Sequence, residues 1–145
     1  MLRSIIAIVV GVVVATAVIF VSEQIGRRLF PAPAIGVDMS DPEAWKDQET
    51  AAAYMSAVPF QAKAAVVIGW FLGTLAGGIA ALMIGARSAP LAWIVAATIF
   101  LFSVSNFLAF PHPLWMIAGA PLAGGAVAIA AMRGTYVRPR TSKPL

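Results

Sequence analysis

The chain has 145 residues, 61% of them hydrophobic and 11% charged, and a mean hydropathy of +0.90; soluble domains carry about 25% charged residues, so the composition excludes an ordinary soluble fold and specifies an integral membrane protein. The net charge of +4 does not mark a nucleic-acid binder, because Arg133, Arg138, Arg140 and Lys143 sit just beyond an apolar run, where a basic tail meets lipid headgroups. The absence of cysteine excludes disulfides, thiolate metal ligands and a cysteine nucleophile.

Ser4 to Ser22, Ala64 to Ala86 and Ser88 to Met132 contain no Asp, Glu, Lys or Arg. A membrane crossing needs about 20 mostly apolar residues, so the first two runs supply one span each and the third supplies two. The expected fold is all-α: one domain, an integral membrane four-helix bundle with spans at about 4–29, 60–85, 91–110 and 114–132, and a short extra helix at about 42–57 in the first extramembrane loop.

The first span is longer than the 7 to 15 residues or so of a signal-peptide core, and no small-x-small cleavage site follows it before Glu23; it is read as retained. Its helix is expected to stop at Pro31, because Pro31 and Pro33 cannot continue it. Ala7, Gly11, Ala15, Ile19 and Glu23 recur every fourth residue, which places them on one slowly rotating face and turns Glu23 toward the bundle. In the loop, Ser40-Asp41-Pro42-Glu43 has the form of a helix start with Asp41 as N-cap, predicting a helix from Pro42 to Ala57. That helix either lies along the membrane surface or is a solvated link.

The second span carries Ala65, Gly69, Gly73, Gly77, Ala81 and Gly85 at strict four-residue spacing, a glycine-zipper-like face built for close helix contact within the chain or between copies. The third and fourth spans are joined by the turn Phe110-Pro111-His112-Pro113 and are therefore antiparallel neighbours. Ala120, Gly124 and Ala128 form another small-residue row in the fourth span, with Pro121 expected to kink it. Arg3, Arg87, Arg133, Arg138, Arg140 and Lys143 flank one side of the spans and Arg27, Arg28, Lys46 and Lys63 the other, which puts both termini in the cytoplasm.

Polar residues gather at one end of this arrangement. Glu23, Gln24, Gln61, Lys63, Asn106, His112 and Trp115 come to similar depth from all four spans, and ionisable groups at membrane depth raise a functional hypothesis. Each also has a structural reading. Glu23 can pair with Lys63 or with Arg27 one turn on; Lys63 can snorkel and Trp115 can sit in the interfacial belt; Asn106 can tie two helices together; His112 can cap its turn. One histidine with one or two carboxylates is too few for zinc, His112 between two prolines is badly placed to ligate haem, and no phosphate loop or nucleotide fingerprint is present. No enzyme activity, metal or cofactor is expected.

Val21-Ser22-Glu23-Gln24-Ile25-Gly26, Phe30-Pro31-Ala32-Pro33, the glycine-striped span with Trp70, Asn106, and above all Phe110-Pro111-His112-Pro113-Leu114-Trp115 carry a resemblance. Over nearly its whole length the chain resembles a group of small bacterial four-transmembrane-helix proteins of uncharacterised function. The resemblance implies the topology, a bacterial inner membrane and an interest in Glu23, Asn106 and His112; it implies no activity. Similarity to small multidrug-resistance transporters is superficial, since their glutamate lies at mid-membrane and Glu23 lies near an end. The expected role is a non-enzymatic accessory or structural component in the bilayer, as a homo-oligomer or part of a larger membrane complex. The alternative is a small transporter or proton-linked sensor using the polar cluster.

Overall fold

A computed structural model describes residues 1–32, 34, 36–38, 41–109, 112–116 and 120–134. Pro33, Ser40, Phe110, Pro111 and the basic positions Arg138, Arg140 and Lys143 lie outside the described residues. Over the described residues the protein is all-helical, with five α-helices and no strands: α1 Leu2–Leu29, α2 Gln48–Ala57, α3 Phe60–Ile84, α4 Ala89–Ala109 and α5 Ala120–Gly134, with short 3-10 helices at Pro42–Trp45 and Leu114–Met116. Three of them, α1, α3 and α4, are long and apolar enough to cross a membrane.

Helix α1 ends where proline ends it. Phe30 donates its backbone N–H to the Gly26 carbonyl, Pro31 follows, and Arg27 and Arg28 sit in the last turn, where cations complement the negative end of the helix. The loop departs from the single helix expected over Pro42 to Ala57. Asp41 does cap a helix start, accepting from the Glu43 N–H at 2.9 Å, but that helix is a 3-10 turn that closes at Trp45. Asp47 then adopts an extended backbone and caps α2, its carboxylate accepting from the N–H groups of Glu49 and Thr50, both at 3.3 Å. An aspartate satisfies two orphan amides at a helix start and none in a helix interior, so the chain breaks at Asp47 and starts again. The Trp45 and Tyr54 rings meet edge to face, 5.5 Å apart, and fold the two pieces together.

In the bundle α3 packs against α1, α4 and α5, and α4 also touches α1 and α5. The α1–α3 seam is antiparallel and close. A methyl group added to Gly73 would lie 2.5 Å from Ile19 Cγ1 and 2.7 Å from the Ala15 carbonyl; one added to Gly69 would lie 2.8 Å from Ser22 Cβ, and one on Gly77 would collide with the Gly11 carbonyl. Gly11 is equally tight, 2.9 Å from the Gly77 carbonyl. From Ala65 to Ala81 the four-residue stripe is thus covered by the small face of α1 in the same chain, while its last member, Gly85, lies against Leu91 of α4. The small row of α5 meets a different face of α3: Gly124 lies against the backbone of Phe71 and Leu75, and Gly78 faces Ala128 across a 2.9 Å gap for an added methyl.

Two clusters of small and branched aliphatic residues fill the interior. Ala7, Ala15, Ala81, Leu91, Val95 and Ile99 lie between α1, α3 and α4; Leu82, Ala92, Ala128 and Ile129 lie between α3, α4 and α5. Large apolar side chains face outward, including Val9, Val13, Phe20, Ile68, Leu101 and Phe102. An interior of small residues under an exterior of large ones inverts the soluble pattern and suits lipid.

The fourth expected span, 114–132, begins differently. Leu114–Met116 is a separate 3-10 turn, and α5 starts at Ala120 and runs to Gly134. Pro121 lies in α5 beside residues outside the described ones.

At the other end of the bundle, the α3–α4 turn holds Ala86 and Arg87 at φ 54° and 61°, with the Arg87 N–H donating to the Leu82 carbonyl at 2.8 Å. This is a Schellman closure with alanine where glycine is favoured. Arg3 Nε donates to the Ile84 carbonyl at 2.5 Å, fastening the start of α1 to the end of α3.

Candidate functional site

At the end away from Arg3, the helices splay around a cavity of about 230 Å³. Glu23 and Arg27 reach it from α1, Lys63 from the first turn of α3, Asn106 from the last turn of α4, His112 from the following loop, and Trp45, Tyr54 and Met55 from the extramembrane loop. Four of the five candidate site residues therefore line one space. The fifth, Trp115, does not: it is exposed and lies against Phe60, ring centres 5.2 Å apart, while the adjacent Met116 is buried and lines the cavity.

Glu23 faces the bundle and finds a partner on another span, as its position on the small face of α1 predicts. The partner is Trp70 of α3, whose indole Nε1 donates to Glu23 Oε1 at 3.3 Å, where Lys63, Asn106 and His112 are the expected candidates. The other carboxylate oxygen lies 3.6 Å from Arg27 one turn along α1. Trp70 is the residue that sequence reasoning overlooks. The signal lies in the seam: the register that sets Gly26 against Ala65 and Ser22 against Gly69 leaves the residue after Gly69 beside Glu23.

Behind this contact runs a line of rings. Trp70 and Phe107 have centres 5.9 Å apart, and His112 stands edge-on to Phe107 at 4.8 Å, within the range of favourable aromatic pairs. The pair holds the loop histidine over the end of α4. Lys63 and His112 also line a second space of about 270 Å³ under α2, with Ala52, Met55, Ser56 and Pro113. Among the described residues, Lys63 and Asn106 have no hydrogen-bond or ion-pair partner, and no group of three or more His, Cys, Asp or Glu is placed to hold a metal ion. Outside the spans, Asp47 has its carboxyl pKa lowered from 3.8, first by the Thr50 hydroxyl and then by the α2 amides.

No family model, curated protein or solved structure matches the chain.

Proposed function

We propose that the chain is a non-enzymatic multi-pass protein of a bacterial inner membrane, with both termini cytoplasmic, acting as an accessory or structural component. In this reading α5 and the chain preceding it complete a fourth crossing, and the seam between α1 and α3 is a glycine zipper that makes the bundle stiff. The observation that carries the reading is the apolar interior. Among the described residues the only buried polar side chains are Thr74 and Ser103, and each hydroxyl donates to a carbonyl of its own helix, Trp70 and Phe100 respectively. A transporter needs a polar route to mid-membrane, and the ionisable groups of this bundle stay at its ends.

The test is purification in mild detergent followed by intact-complex mass measurement and flux assays in proteoliposomes. The expected outcome is a complex of fixed stoichiometry, heavier than the 15.1 kDa chain, with no proton-linked flux. A monomer that dissipates a pH gradient with a substrate would contradict it.

A further inference from the structure

We propose that the cavity at the Glu23 end binds the headgroup of an anionic amphiphile: a carboxylate or phosphate carried on an aliphatic chain. The charge balance of the lining selects the sign. Of the charged groups lining the space, Arg27 and the Glu23 carboxylate pair with each other, and Lys63 is the cation left over. That carboxylate is already engaged by Trp70 and Arg27, so it offers little to a cationic ligand. Lys63 and Asn106 are half-buried, line the cavity and have no protein partner among the described residues. They supply an ammonium and an amide donor at the cavity wall, and an anion held by an ammonium makes a charge-assisted hydrogen bond.

Size and walls select the rest of the ligand. A space of about 230 Å³ is near the lower end of small-molecule pockets, enough for a headgroup. The walls are apolar, with Met55, Val58, Val66 and Met116, and at the same depth Val21 and Ile25 of α1 face outward, exposed, where a chain can leave along the lipid surface. Helix α2 makes no close backbone approach to a span; it covers the cavity through Tyr54 and Met55 and leaves a way in. The inference goes beyond the structural role proposed above and does not depend on it, since the α1–α3 seam would stand whether or not the cavity is filled.

The experiment titrates the full chain, delipidated in a neutral maltoside detergent, with chain-matched lysophosphatidylglycerol, lysophosphatidylcholine and laurate, and with inorganic phosphate. Lysophosphatidylglycerol, laurate or both should bind at least about tenfold more tightly than lysophosphatidylcholine and than phosphate, as one charge-assisted contact plus an aliphatic chain requires. Binding of the phospholipid alone assigns a membrane lipid, and of laurate alone a free fatty acid. Lys63→Gln should weaken binding about tenfold, Lys63→Arg should retain it within about threefold, and Lys46→Gln, a loop cation outside the cavity, should leave it unchanged. Asn106→Ser, expected to cost about threefold, gives an independent readout if Lys63→Gln does not yield folded protein. Equal binding of the zwitterionic and anionic lipids, or equal losses in Lys46→Gln and Lys63→Gln, would overturn the proposal.

Discussion

Three single residues have environments that make distinct predictions. Glu23 and Trp70 share a hydrogen bond across the α1–α3 seam, so Glu23→Gln, which keeps an acceptor, should destabilise the bundle less than Glu23→Leu, which strands the indole N–H and costs about 1 kcal/mol. A double-mutant cycle with Trp70→Phe in detergent unfolding should give a coupling of about 0.5 kcal/mol or more; zero coupling would remove the bond. Ala86 occupies the left-handed position of the Schellman closure at φ 54°, where an L-residue costs about 1–2 kcal/mol. Ala86→Gly should therefore stabilise by up to about 1 kcal/mol after the entropy of the freer unfolded glycine is subtracted, read as a higher melting temperature. Asp47 has its folded pKa held below 3.8 by Thr50 and the α2 amides. Its contribution is complete above the unfolded pKa and is lost as pH falls through the folded one. Helical chemical shifts of α2 should fade below about pH 4 and persist in Asp47→Asn, which caps without titrating.

Elements were legible where one signal decides them. The helices expected at 60–85 and 91–110 fall within a residue or two of α3 and α4, because length and hydropathy set a long apolar helix, and Pro31 gives the end of α1. The loop helix was less legible: Asp41 and Asp47 are both cap residues, and choosing one continuous helix from Pro42 ignored that an aspartate in a helix interior has no amide to serve. The start of the last helix is less legible still, since Pro121 fits either a kink or a first turn and local sequence does not choose between them. The glycine face of α3 was legible as a contact surface but not as to its partner, because periodicity places residues on a face without saying which helix covers it. With α1 now against it, Gly73→Leu must push Ile19 and the Ala15 backbone aside and should cost about 1–3 kcal/mol or abolish folding. Ile68→Leu, on the exposed face of the same helix, should change the melting temperature little; equal stability of the two variants would refute the seam.

At the scale of the whole molecule, depth was more legible than contact. Glu23, Lys63, Asn106 and His112 were placed at one end by counting residues along spans, and they line one cavity. Which groups touch within it depends on the rotation of each helix about its axis, and that is fixed by the seam: the interdigitation of Gly26 with Ala65 and of Ser22 with Gly69 delivers Trp70, not Lys63, to the carboxylate. The central claim is a chain that crosses the membrane four times with the α3–α4 turn and both termini on one side. The chain has no native cysteine, so single-cysteine labelling with a membrane-impermeant maleimide tests it directly at Ser56→Cys, Ser88→Cys and Thr141→Cys. Ser56→Cys should be labelled from the outside of the inner membrane, and Ser88→Cys and Thr141→Cys only after the membrane is opened. Labelling of Thr141→Cys together with Ser56→Cys would mean that α5 does not complete a fourth crossing, and would contradict the account.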